Sequence, residues 1–272
     1  MTVYHDGVFQ RGFGTFPLRG EVLVQAVRDA VEVGYRTFDT AQWYGNEAEL
    51  AAALTATGIP RDEVLVTTKV HPENMDTDRF LPSVEQSLRD LRADAIDVLL
   101  LHWPPNDGPI EPSLDLLQEA RRREYARHVG VSNYTAAMMR KALVHLDVPI
   151  VVNQVEFHPL LDQSKLLSAS AETGIPLSSF CSLARGAVFK YPVLSEIGAV
   201  HGKSAAQVAL RWILQQGVAL NTMSTRRENL QSNFDIVDFD LSQDDMKRIS
   251  ALTTTNLRIS NADVVPYAPT WD

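Results

Sequence analysis

The sequence predicts an α/β chain folded as a single (β/α)8 TIM barrel. Short β-branched or aliphatic runs alternate with longer segments of helical period from one end to the other, the pattern of parallel βα units. The alternation repeats eight times, and eight units in series suggest closure. At 272 residues, with 45% hydrophobic and 22% charged side chains, the chain has the length of one barrel and apolar content for one continuous core. No low-complexity stretch or sharp change of composition marks a boundary, so one domain over 1–272 is expected.

Strand candidates begin near Arg11, Tyr35, Val64, Ile96, His128, Ile150, Pro176 and Gly217, each expected to last about five or six residues. Helical windows follow them. In the first, Glu21 to Val33, the residues Val22, Leu23, Ala26, Val27, Ala30, Val31 and Val33 share a broad apolar face, while Gln25, Arg28, Asp29 and Glu32 fall largely elsewhere. Ser83 to Leu91, Ser113 to Tyr125, Thr135 to Leu146, Gln163 to Thr173 and Ala205 to Gln216 are further windows without interior proline or glycine. Parallel strands buried on both faces should be apolar throughout, as Val98 to Leu101 and Ile150 to Val152 are. An open doubly wound sheet shares this periodicity, so the residues at the strand ends bear on the choice.

Charge and cysteine usage exclude several functions. A net charge of −9 argues against nucleic acid or an anionic membrane as the main partner. No apolar run approaches the roughly 18 residues that cross a bilayer, and the amino terminus lacks a signal-peptide pattern. The single cysteine, Cys181, cannot form an intramolecular disulfide or a multi-cysteine zinc site, which fits a reducing compartment. A cytoplasmic protein is expected. The seven histidines show no paired metal-ligand spacing, so no metal is expected, and His158 before Pro159 reads as structural.

Polar residues interrupt the strands at their carboxyl ends, where a barrel carries its working groups. Strand two runs into Asp39, strand three into Lys69 and strand four into His102; strand five ends in Ser132 and Asn133, strand six in Asn153 and Gln154, and Tyr44 follows Asp39 on the next loop. A tyrosine phenol has an ordinary pKa near 10, and a nearby ammonium would lower it. Lys69 is expected to supply that charge, Asp39 to partner Lys69, and His102 to hold a carbonyl oxygen. Singly, each residue also has a structural reading: an ion pair, a packed histidine, a turn tyrosine. Together they indicate a barrel enzyme of acid–base chemistry.

The motifs FDTAQWYGNE (38–47), TTK (67–69), LLLHWP (99–104), GVSN (130–133) and NQVEFHP (153–159), with GFGT (12–15) and the closing YAPTWD, resemble the aldo-keto reductase family, in family order and across essentially the whole chain. Bacterial members similar to diketogluconate reductases look nearest. The resemblance implies a catalytic tetrad of Asp39, Tyr44, Lys69 and His102, with Tyr44 protonating the carbonyl oxygen as hydride moves from the nicotinamide. It implies that Ser132, Asn133 and Gln154 bind the carboxamide, that Phe180 stacks on the ring, and that Thr15 belongs to the cofactor site. CSLARG (181–186) resembles the family's pyrophosphate loop with Ser182 in place of a frequent proline; Leu183 and Gly186 would serve through their backbone and Arg185 would add charge. The dinucleotide fingerprint G-x-G-x-x-G is absent, so a Rossmann domain is not supported.

Departures bear on cofactor choice. After strand eight, Ser224 and Asn233 match the family's NADPH pattern, but Met223 stands for its lysine and Asn229 for its arginine. Arg226 and Arg227 are expected to replace the lost charge. NADPH is therefore expected, with NADH as the alternative. Phe16, Trp43 and Trp103 are expected to wall an apolar pocket for a small-molecule carbonyl substrate. Trp271 is left open between closing the mouth and lying outside it. The resemblance further implies a monomer. A regulatory nucleotide-binding barrel with little turnover and a metal-dependent hydrolase or isomerase are the alternatives.

Overall fold

The structure is a computed structural model and describes residues 7–105 and 108–272. Eight parallel strands close into a barrel in chain order: β1 Arg11–Gly14, β2 Thr37–Asp39, β3 Leu65–Val70, β4 Ile96–Leu101, β5 Ala126–Ser132, β6 Ile150–Glu156, β7 Leu177–Phe180 and β8 Ala219–Thr222. The ring closes where Gly12 of β1 stands opposite Asn221 of β8. Closure leaves no sheet edge and decides against the open sheet. Several strands are shorter than expected. The Tyr35 N–H turns back to Ala30 O at 2.9 Å and finishes the preceding helix instead of joining the ladder. Pro176 has no N–H to give, and contributes only its carbonyl, to Asn153 N at 2.8 Å.

The helices are α1 Gly20–Val33, α2 Glu47–Thr57, α3 Phe80–Leu91, α4 Glu111–Arg122, α5 Ala136–His145, α6 Ser164–Thr173, α7 Pro192–His201, α8 Ala205–Gln215, α9 Arg227–Phe234 and α10 Gln243–Ser250. In α1 the predicted apolar face is buried through Leu23, Ala26, Val27 and Ala30. Helix α3 starts three residues before the predicted window, because Pro82 sits in its first turn, where a missing N–H is not needed. Thr135 caps α5 through Met138 N, and Ser204 with Gln207 forms a capping box on α8. No described helix is long and apolar enough to cross a membrane.

The core divides in two. The larger part lies between strands and helices, and the smaller one, Leu65, Val98, Leu100, Val151, Val152 and Ala219, plugs the barrel interior. Because side chains alternate along a strand, the residues two and four positions beyond this plug also face inward. Leu65 leads to Lys69, Leu100 to His102 and Val152 to Gln154. The polar strand ends are thus the upper layer of an interior whose lower layer is aliphatic.

Candidate active site

Lys69 sits at the centre of that upper layer, fully buried. Its Nζ donates to Asp39 Oδ1 at 2.6 Å and to Thr40 O at 2.9 Å, while Gln154 Nε2 donates to Asp39 Oδ2 at 2.7 Å. Both carboxylate oxygens are therefore held. Burial pulls the Lys69 ammonium below its ordinary pKa, and the Asp39 contact opposes that shift. Tyr44 stands above the pair in a 3-10 turn, Gln42–Tyr44, which ends on Gly45 in the left-handed region. Lys69 Nζ lies 5.0 Å from the Tyr44 ring centroid, and the Tyr44 and His102 rings are 5.5 Å apart, edge to face.

The electrostatics correct one expectation. Burial raises the Tyr44 phenol well above its ordinary pKa, with smaller contributions from the Asp39 carboxylate and the Cys181 thiol. Burial is the largest effect, and the Lys69 ammonium, paired with Asp39 at 2.6 Å, does not offset it. His102 is held well below its ordinary pKa by burial first, then by Lys69 and His71, so the ring is neutral. A neutral imidazole has one N–H and one bare nitrogen. Among the described residues Nδ1 of His102 is buried without a hydrogen-bond partner.

On the far wall Ser132 Oγ donates to Gln154 O at 2.7 Å, and Asn133 Nδ2 donates to His102 O and to Ser132 Oγ, each at 3.0 Å. These bonds fix the amide, leaving Asn133 Oδ1 as a buried acceptor without a partner among the described residues. A primary carboxamide, with two N–H donors, matches that vacancy in hydrogen bonding. The donor and acceptor set thus fits a nicotinamide.

Tyr44, His102, Ser132, Asn133, Gln154 and Phe180 line one cavity of about 270 Å³ together with Phe16, Trp43 and Trp103. Asp39 and Lys69 lie beneath it. Cys181 and Arg185, from the loop after β7 expected to meet the pyrophosphate, also line it, and the remaining wall was not predicted: Ser260, Val264 and Val265 come from the carboxyl-terminal segment. That segment has no helical or strand period to announce it. Trp43 packs edge-on against His71, His102 and Tyr267, with ring centroids 5.0, 5.6 and 5.5 Å away. Burial pushes the Cys181 thiol up to about 11, so it is neutral. An open depression of about 660 Å³ on the outer surface is larger, but its cations are already paired, Lys203 with Asp238 and Arg227 with Glu32.

Other predicted residues lie outside this cavity. Thr15 is fully buried, and its hydroxyl donates to Asp39 O at 3.0 Å. The Ser182 hydroxyl is turned into the barrel wall against Ser179 Oγ at 2.7 Å, Leu183 packs on the core, and Gly186 adopts φ 90°. Cys181, Ala184 and Arg185 have φ of 51°, 48° and 49°, a left-handed run of non-glycine residues of the kind retained at ligand-binding loops. Between β8 and α9, Ser224 Oγ accepts from Arg226 N at 3.1 Å and Arg226 is exposed, while Asn233 is buried in the last turn of α9. Arg227, by contrast, is tied to Glu32 and Asp29 of α1. Trp271 does not line the cavity; Arg258 lies 3.8 Å over its ring, and the neighbouring Asp272 accepts from Ala136 N. Among the described residues no group of three or more His, Cys, Asp or Glu could hold a metal ion.

A closed barrel whose mouth joins a phenol, an imidazole and a buried carboxylate–ammonium pair beside a polar wall of Ser132, Asn133 and Gln154 is an enzyme of the barrel class. Residues 12–254 match the profile of the Aldo/keto reductase family, and the chain belongs to that family. It is 38% identical over 264 residues to methylglyoxal reductase DkgB of Escherichia coli O157:H7, covering 96% of this chain and 98% of that protein. An aldo-keto reductase of Mycobacterium avium (strain 104) is 39% identical over 249 residues, 91% and 88% of the two chains. A putative 2,5-diketo-D-gluconic acid reductase B superposes with a TM-score of 0.94 at 43% identity, over 100% of this chain and 97% of that one. A Bombyx mori aldo-keto reductase in complex with NADP superposes with a TM-score of 0.86 at 27% identity, over 96% and 94%. The chain is an NAD(P)H-dependent oxidoreductase that reduces an aldehyde or ketone to an alcohol, and the regulatory alternative finds no support.

Proposed function

We propose that the chain is an NADPH-dependent reductase of small carbonyl compounds, one barrel domain acting as a cytoplasmic monomer, with Tyr44 as general acid. The observation that carries the reading is a phenol held protonated at the mouth, above a buried Lys69–Asp39 pair and beside a neutral His102. The cofactor, when bound, supplies the hydride that reaches the carbonyl carbon. Tyr44 gives its proton to the carbonyl oxygen as that oxygen gains electrons, so that O–H forms as Tyr44 becomes phenolate. Lys69 faces the charge left on Tyr44, and Asp39 holds Lys69 in place. His102 donates its single N–H to the same oxygen and orients the substrate.

Ser132, Asn133 and Gln154 hold the carboxamide, with the bare Asn133 Oδ1 accepting from its amide. Phe180 covers the ring, and Thr15, Ser182, Leu183 and Gly186 shape the path of the pyrophosphate. Beyond β8, Ser224, Asn233 and the exposed Arg226 meet the adenosine end. Arg226 supports NADPH over NADH, since its nearest acid, Glu228, is 3.8 Å away and leaves the guanidinium accessible to a 2′-phosphate. The NADP bound by the Bombyx mori relative supports the same choice. Phe16, Trp43 and Trp103 form an aromatic wall around a space of about 270 Å³, which suits a short oxidised carbon chain of the methylglyoxal or diketo-acid type for which the two similar reductases are named.

A spectrophotometric screen of aldehydes and ketones, with NADPH and NADH side by side, tests reaction class and coenzyme together. Tyr44→Phe is expected to lower kcat by about 100-fold or more while NADPH affinity stays within about twofold. Retained activity in that variant would overturn the role of Tyr44.

A further inference from the structure

We propose that Glu156 is the positioning residue for the substrate wall: from the end of β6 its carboxylate holds the backbone of Ile259 and Ser260, and thereby sets where Ser260, Val264 and Val265 stand in the cavity. The proposal rests on the carbonyl-reductase reading for the function of that cavity, while the anchor itself rests on geometry alone.

Glu156 is fully buried at the carboxyl end of β6, two residues beyond Gln154. Oε1 accepts from Ile259 N at 2.7 Å and from His158 Nε2 at 2.9 Å, and Oε2 accepts from Ser260 N at 2.7 Å. The two backbone donors lie 103 and 104 residues downstream. His158, also fully buried, accepts from Leu160 N through Nδ1 at 3.2 Å, so its proton sits on Nε2 and is donated to Glu156. The histidine expected to be structural is therefore one half of the clamp. Leu257 N reaches Leu160 O at 2.7 Å, so the same loop holds the segment at a second point, and Gln163 Nε2 donates to the Glu156 carbonyl at 2.6 Å, which fixes the loop itself.

A buried carboxylate is costly unless fully hydrogen-bonded, and two of the three bonds to this one come from the segment it would position. Burial pushes the Glu156 carboxyl up, yet the bonds from His158, Ile259 and Ser260 outweigh it and the net direction is down. The rest of the segment is held by more exposed contacts: the Tyr267 hydroxyl donates to Glu73 Oε1 at 3.1 Å, and Asp272 takes Ala136 N at 2.6 Å. Between these and Glu156 stand Val264 and Val265, which face the cavity. None of the tetrad touches Glu156, so it acts on substrate fit rather than on proton transfer.

The test compares wild type with Glu156→Gln. In wild type, amide hydrogen exchange at Ile259 and Ser260 should be at least about tenfold slower than at Asn261 and Ala262. In the variant, whose amide keeps a single acceptor oxygen, that protection should be lost at one of the two amides at least, KM for methylglyoxal and for a bulkier aryl aldehyde should rise about tenfold, kcat should move by less than about threefold, and NADPH affinity should be unchanged. Wild-type Ile259 and Ser260 exchanging as fast as their neighbours would overturn the anchor, even if the variant fails to fold. Loss of kcat and NADPH binding together, with KM unmoved, would mean that Glu156 only supports the barrel, and would overturn the positioning role. Should wild type reduce neither compound, the substrate reading falls, while the exchange measurement still decides the anchor.

Discussion

Lys69 and Asp39 show what a single buried pair determines. Removing one partner of such a pair leaves the other charge uncompensated in a medium that solvates it poorly, at a cost of about 3–5 kcal/mol. Lys69→Met is therefore expected to lower the urea unfolding free energy by about that amount, because Asp39 would keep only Gln154 as a donor. A loss below about 1 kcal/mol, the range of exposed pairs, would show that water reaches the site. Asn133 makes the complementary case. Its side chain is bound through Nδ2 and bare at Oδ1, so Asn133→Ala should weaken NADPH binding about tenfold, read by fluorescence titration, with little change in kcat at saturating cofactor. The polar identities at Asp39, Lys69, His102 and Gln154 were legible because inward alternation forces them onto one layer. The direction of the Tyr44 shift was not, since it is set first by how deeply the assembled mouth buries the phenol, which residue type does not encode.

At the level of elements, the sequence revealed the strands through their apolar runs and most helices through their period, but it was poor at connections. The crossover from β7 to β8 holds two helices, α7 and α8, and Pro192, which opens α7, reads locally as a break. The carboxyl-terminal wall of the cavity was illegible for a related reason: its position is set by Glu156, a residue of the β6 end more than a hundred positions away. Strand packing also imposes demands visible only in the assembled barrel. At Gly130, in β5, a Cβ would come 2.7 Å from Val152 O and 2.8 Å from Leu100 Cδ2, inside the aliphatic plug. The strand backbones approach so closely there that Gly130→Ala is expected to cost about 1–3 kcal/mol as overpacking, seen as a lower midpoint in thermal unfolding. A neutral outcome would mean that β5 and β6 can separate without loss.

Across the whole molecule, closure leaves no free strand edge, and the carboxyl-terminal segment is tied to the barrel by the buried Glu156 carboxylate, whose titration acts on global stability. The Glu156 carboxyl is held below its ordinary 4.5 in the folded chain, where the hydrogen bonds from His158, Ile259 and Ser260 outweigh burial. The unfolded chain takes that proton first, so the stabilisation from Glu156 is complete above 4.5 and is lost as pH falls through the lowered folded-state value. Glu47 has the opposite sign: burial raises its carboxyl above 4.5 against the bonds from Thr68 and Ser87. The folded chain therefore binds that proton first, and acidification from neutrality toward 4.5 adds stability through Glu47. The two together predict a Tm that is level or slightly rising from neutral pH to about 4.5 and falls below it. In Glu156→Gln the acid limb should be shallower, because the group that loses its charge there is absent. Circular-dichroism melts across this range would check both curves. A wild-type Tm that declines steadily from neutrality, or an unchanged acid limb in the variant, would show that the stability of the barrel does not pass through the carboxylate at the end of β6.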